Sequence, residues 1–177
     1  MKIDTNLKDM LNAVNVPADW VGIREVYEAH TPRMIRDGVP VENGRYSTHG
    51  IMVEVLVNGQ FGYYGTPDLS KEGVERASRN AYNQAKEASK YALHNFTEAV
   101  RPKNVGNYKS PFVKDIKDVS AKELNALLLD AYKELKVSDK IVSASSLAST
   151  IETNFHFVSS NGSDVGQEFL MLEFDLS

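Results

Sequence analysis

No cysteine occurs anywhere in the 177 residues. That excludes disulfides, thiolate nucleophiles and any metal site drawing sulfur from this chain. An excess of one charge is missing as well: 20 basic residues stand against 24 acidic ones, a net charge of −4. A nucleic-acid surface needs a basic face, so nucleic acid is not an expected partner. Long apolar runs are lacking too. No segment approaches the roughly 18 apolar residues that span a bilayer, and Met1-Lys2-Ile3-Asp4-Thr5 does not read as a signal peptide. A cytoplasmic location without membrane partners is therefore expected. With 42% hydrophobic residues the chain still has enough apolar surface for an ordinary core.

Catalytic motifs are equally scarce. His30, His49, His94 and His156 include no two at the spacing that pairs ligands on one helix face. His94 with Glu98, and Glu152 with His156, are four apart, but the first ends a helix and the second falls in a strand. Ser143, Ser145, Ser146, Ser149, Ser159 and Ser160 stand in no Gly-x-Ser-x-Gly elbow and are expected at turns and edges. No glycine-rich phosphate loop is present. Glu25 with Glu28, or Asp37 with Glu42, are candidate acid/base pairs only if the fold brings them together. Neither a catalytic nor a metal-ligating residue is assigned.

What is present is hairpin chemistry. Ile3, Leu7, Leu11 and Val14 recur at helical spacing until Pro17 stops them. From Asp19 the period becomes two, with Val21, Ile23 and Tyr27 on one face. Arg33-Met34-Ile35-Arg36 reads as a short strand turned by Asp37-Gly38, before a loop holding Pro40 and Asn43-Gly44. Gly50 to Val57 is the strongest strand, and Asn58-Gly59 turns it back through Gln60 to Tyr64. Ser70 caps a helix expected over Lys71 to Asn95. Its stripe of Val74, Ala77, Ala81, Ala85, Ala88 and Ala92 is small enough to lie close on a sheet. Periodicity then fades from Thr97 to Val119.

Ser120-Ala121-Lys122-Glu123 is a capping box opening a helix buried through Leu124, Leu127, Leu128, Ala131 and Leu135. Asp139 to Val142 reads as a short strand, Ile151 to Phe157 as a longer one, and Gln167 to Phe174 as the last, after Asn161-Gly162. The fold class is thus α+β, with antiparallel hairpins packed against helices. A helix-β-β-β order read at 3–57 and again at 121–174 suggests two repeated units. Lobes at 1–100 and 120–177, joined by a linker at 101–119, are the expected domains.

One cluster suggests binding. Arg24, Arg33, Arg36 and Arg45 occur around the first hairpins with Tyr27, Tyr46, Tyr63 and Tyr64. Cationic and aromatic groups together suit a peptide carboxylate or backbone. Cross-strand pairing with Glu25, Glu28 and Asp37 is the alternative. Arg24, Arg36, Arg45 and Tyr64 are the candidate peptide-binding residues.

Several stretches also resemble a known family. Ala18-Asp19-Trp20-Val21-Gly22-Ile23-Arg24, Asn43-Gly44-Arg45, Gly50 through Gly62, Thr66-Pro67-Asp68-Leu69-Ser70 and Phe157 through Glu168 occur in the order found in TldD/PmbA proteins. Tyr64 stands where many members have a smaller residue. The resemblance implies a metallopeptidase, also called a modulator of DNA gyrase, whose paired subunits enclose a chamber and trim unfolded peptides. It implies zinc held by a His-Glu-x-x-x-His helix and a cysteine in a carboxy-terminal region that this sequence, ending at Ser177, is expected to lack. The implied role is then the chamber-forming, peptide-accommodating amino-terminal region, inactive alone and without a cofactor of its own. Expected partners are an unfolded peptide, a family subunit or the carboxy-terminal domain, and a second copy through an exposed last strand. A free-standing assembly module is the alternative, and a nucleic-acid-associated protein a less favoured one.

Overall fold

The computed structural model describes residues 6–177. The expected opening helix is α1, Leu7–Ala13; Ile3 lies outside the described residues. Then follow β1 (Trp20–Arg36), β2 (Val39–Asn43), β3 (Tyr46–Val57), β4 (Gln60–Thr66), α2 (Lys71–Ala88), β5 (Val105–Lys109), α3 (Ala121–Leu135), β6 (Ser145–Ser159) and β7 (Asp164–Leu176). The strands make one seven-stranded sheet in the order β4-β3-β1-β6-β7-β5, with β2 also paired to β1. This is the expected α+β class.

Turn chemistry sets the hairpins. Asn58 and Gly59 have φ of 50° and 78°, the left-handed pair that a two-residue turn requires. They bring Val57 opposite Gln60, and the antiparallel register runs on to Ile51 opposite Thr66. Asp37 and Gly38 (φ 50° and 80°) turn β1 into β2 in the same way. Here the structure corrects the sequence reading, because the stretch around Pro40 is a strand and not a loop. Pro40 sits opposite Ile35 at a register shift between Met34 and Ile35. A bulge tolerates a residue that cannot donate to the ladder.

Two compact units interleave along the chain. The first takes the segment ending at Tyr27 with Thr48–Tyr108 and Asn154–Glu168; the second takes Glu28–Ser47, Lys109–Thr153 and Phe169–Ser177. They are therefore not contiguous stretches such as 1–100 and 120–177, since β1, β6 and β7 each run from one into the other. The expected linker at 101–119 contains β5, whose five residues are all exposed.

In the first unit, Val21, Ile23, Val53 and Val55 pack with Val74, Ala77, Ala81 and Ala85 of α2. Each such valine contributes roughly 1.5–3 kcal/mol on burial. Ser70 caps α2 through its hydroxyl, which accepts from Gly73 N–H at 3.0 Å. The small-residue stripe works up to Ala85, beyond which α2 ends at Ala88 and a 3-10 turn at Ser89–Tyr91 replaces the rest of the expected helix. In the second unit, Ile35, Leu128 and Ala148 form the core with Leu124 and Tyr132 around them. The Ser120–Glu123 capping box is present.

Asp139 to Val142 is not a strand, and Val142 is 94% exposed. The second segment thus carries a helix and two strands where the first carries a helix and three. Ser145, Ser146, Ser149 and Ser159 lie within β6 and are buried, rather than at turns. Ser146 is accommodated because its hydroxyl donates to the Leu128 carbonyl at 2.7 Å.

Candidate functional site

Strand alternation gives β1 two different faces in the first unit. Val21 and Ile23 point into the core beside α2, while Trp20 and Arg24 fall on the opposite face. That face is aromatic. Trp20 meets Phe61 edge-on at 6.1 Å and lies 6.3 Å from Phe157. Phe96 follows at 5.8 Å from Phe61. Gly22 permits this, because a Cβ there would come within 2.5 Å of the Trp20 ring and 2.9 Å of the Phe157 ring.

A cleft of about 210 Å³ opens on this face. Arg24, Phe155 and Phe157 form one side; Glu54, Arg101 and Gln167 are among the others. The Arg24 guanidinium sits 5.9 Å from the centres of both the Phe155 and Phe157 rings, a cation–π arrangement. It has no carboxylate partner among the described residues. Arg101 is paired: its Nε and Nη2 donate to Glu54 Oε1 at 3.0 and 2.5 Å, and its guanidinium lies 4.8 Å from the Phe61 ring centre. The hydrogen bond to Glu54 holds the Arg101 pKa above its ordinary value against the opposing effect of burial. Burial, and then the Glu54 charge, push the neighbouring Tyr63 phenol up. One cation is neutralised and one is not, so the cleft carries a net positive charge. It can receive an anion beside an apolar group.

Of the four candidate residues, Arg24 alone lines this cleft. Arg36 and Arg45 belong to the second unit, where Arg45 pairs with Glu152 at 3.0 Å and Arg36 reaches the Met34 sulfur at 3.8 Å. Tyr64, on β4 opposite Val53, is exposed. The carboxylates proposed as acid/base pairs have other partners: Asp37 accepts from the Ser143 hydroxyl and the Ala144 N–H, and Glu42 from the Tyr46 hydroxyl. Glu25 is fully buried with its Oε1 2.8 Å from His49 Nε2, and Glu28 accepts from the Thr153 hydroxyl. Glu152 and His156 have separate partners, since His156 Nε2 is 2.7 Å from Asp164 Oδ1. No group of three or more histidine, aspartate or glutamate side chains placed to hold a metal occurs among the described residues. No helix is long and apolar enough to cross a membrane among those residues.

Glu54 and Arg101 were not singled out from sequence. The available signal was Glu54 itself, a charge inside the apolar run Ile51 to Val57, where a buried carboxylate demands a partner.

An α+β chain with a long-stranded sheet, a helix on one face and an aromatic, arginine-bearing face on the other is the class defined here. Residues 21–85 match the family model described as PmbA/TldA metallopeptidase domain 1, and over that stretch the chain is similar to the first domain of that family. A metalloprotease of Methanocaldococcus jannaschii is 25% identical over 150 residues, 85% of this chain and 33% of that protein. A Bacteroides thetaiotaomicron protein described as a modulator of DNA gyrase has a similar structure, with a TM-score of 0.70 and 16% identity over 99% of this chain and 41% of that one. TldE from Thermococcus kodakarensis gives a TM-score of 0.56 and 16% identity over 96% of this chain and 41% of its own. The chain thus spans between a third and about two fifths of the length of these relatives.

Proposed function

We propose that this chain is the chamber-forming, peptide-accommodating amino-terminal region of a TldD/PmbA-type metallopeptidase, acting in the cytoplasm on unfolded peptides. The observation that carries this reading is the match of residues 21–85 to the first domain of that peptidase family. Zinc and the residues that hold it belong, in this reading, to the family's carboxy-terminal region. Assembly with a family subunit is supported by the likeness to TldE.

The sheet suggests how a sequence-varied substrate is held. β5 ends the hydrogen-bonded order, and all five of its residues are exposed. An edge strand offers main-chain donors and acceptors common to every peptide. An unstructured peptide should therefore bind the purified chain, and N-methylation of alternate peptide amides should abolish binding. The chain alone should cleave nothing, with or without zinc. Metal-dependent cleavage by the purified chain would overturn the assignment of chemistry to another region, and equal binding of the N-methylated peptide would overturn the strand-pairing mode.

A further inference from the structure

We propose that the cleft between Arg24 and Gln167 is an anchor for the carboxy-terminal residue of a peptide, taking its free carboxylate on Arg24 and its apolar side chain against Phe155 and Phe157. The proposal rests on the reading of this chain as peptide-accommodating and adds which part of the peptide is recognised, and where.

Three observations converge. First, Arg24 makes no ion pair and no hydrogen bond within the described residues, although it lines a concave site. Glu54, the carboxylate in the same cleft, is held by Arg101 through two hydrogen bonds and leaves Arg24 uncompensated. A guanidinium matches a carboxylate through two parallel N–H donors. Second, the rings of Phe155 and Phe157 lie beside that cation, so anion and apolar group must arrive within one residue's reach of each other. A terminal residue carries both on one Cα, whereas an internal Asp or Glu presents its carboxylate without an apolar side chain on the same residue. Third, the volume of about 210 Å³ falls below the roughly 300 Å³ at which sites for drug-sized ligands begin. It is large enough for one terminal residue. The Gln167 amide, half-buried and making no side-chain hydrogen bond among the described residues, is available to the last peptide N–H or carbonyl.

The single tryptophan makes this directly measurable, since Trp20 lies 6.3 Å from Phe157. Binding to the full 177-residue chain is followed by Trp20 fluorescence and calorimetry. The probes are N-acetyl-phenylalanine, N-acetyl-phenylalanine amide, and one unstructured peptide ending in phenylalanine, prepared with a free and with an amidated terminus and containing an internal glutamate. The free carboxylate should bind about tenfold or more tightly than the amide, as expected for losing a charge-assisted pair. In Arg24→Gln that preference should vanish, and Arg24→Lys, with charge but no fork, should restore it only in part. Arg24 is exposed, and an unchanged denaturation midpoint verifies that both variants fold. Equal affinity of acid and amide forms, or an Arg24→Gln variant that keeps the preference, overturns the anchor. If the amidated peptide still binds in that case, the peptide-accommodating reading stands without it. Conversely, Arg24-dependent binding of N-acetyl-phenylalanine with no binding of either peptide would overturn both the anchor and the peptide-accommodating reading.

Discussion

Glu54 and Arg101 are 47 positions apart, and the energetics of the aromatic face depend on their meeting. The Glu54 side chain is 8% exposed and the Arg101 side chain 39%. Removing the arginine leaves a buried carboxylate with its desolvation uncompensated, whereas removing both charges is far less costly. Arg101→Met should therefore destabilise the chain by about 2 kcal/mol in urea unfolding, and Glu54→Gln on that background should recover much of the loss. A second pair carries a pH dependence. Lys8 hydrogen-bonds Asp164, and His156 does so from the other side; together they hold the Asp164 pKa below the usual carboxylate value. A depressed folded pKa stabilises the fold above the unfolded value, about 3.9, and that contribution disappears as pH falls through the lower folded value. Because Asp164 is about one-third exposed, solvent screening keeps the contribution small. Asp164→Asn should cost only about 0.5–1 kcal/mol at pH 7, and the difference from the native chain should close in acid, as read by thermal unfolding across pH. Neither pair was legible in the sequence, because both join residues far apart in the chain that only the tertiary fold brings together. Arg24 was legible as a candidate, but its aromatic neighbours came from β6, over 130 positions away, and not from the tyrosines near it in the chain.

At the scale of elements, the close packing of α2 on β4 explains a glycine. A Cβ built on Gly62 would lie 2.0 Å from the Ala81 carbonyl oxygen and 2.9 Å from Ala85 N, both backbone atoms of α2. The small stripe of α2 and the bare Cα of Gly62 are two halves of one contact. Gly62→Ala must push the helix off the sheet and should destabilise by about 3 kcal/mol, the upper end for overpacking. Gly65, on the same strand, has open space around its Cα; Gly65→Ala should change stability by no more than about 0.5 kcal/mol. Comparing the two by chemical denaturation separates close packing from the general effect of glycine in a strand. The stripe, both caps and the Asn58-Gly59 and Asp37-Gly38 turns could be read in advance, because each is written in contiguous residues with one physical solution. β2 and β5 could not. Val39–Asn43 contains a proline, and Val105–Lys109 is short and wholly exposed, so neither shows the alternation that marks a half-buried strand. Asp139 to Val142 had the apolar residues of a strand but no neighbour to pair with. Interleaving of the two units was hidden for a related reason: a strand long enough to serve both looks, in sequence, like any other strand.

For the whole molecule, the sheet leaves part of β7 uncovered. β7 is thirteen residues long and β5 only five, so β5 covers less than half of the edge it pairs with. Beyond it, Leu172, Phe174 and Leu176 alternate along one face and are each about half exposed, at 56%, 48% and 51%. An apolar ladder next to an unpaired edge is a strong site for strand-to-strand association. Charge does not oppose it: antiparallel pairing of two copies about Leu172 sets Glu173 opposite Met171 and Asp175 opposite Phe169, with no like charges facing each other. The net charge of −4 gives only weak repulsion between copies at physiological salt. The purified chain should accordingly show concentration-dependent dimerisation in sedimentation velocity. Phe174→Lys should weaken that dimer about tenfold or more by placing charge on the ladder. The substitution lies on an exposed residue and should leave the unfolding midpoint of the dilute monomer within about 0.5 kcal/mol. Unchanged self-association in Phe174→Lys would assign any dimer to another surface and leave β7 as an edge that the acidic residues Glu173 and Asp175 suffice to protect.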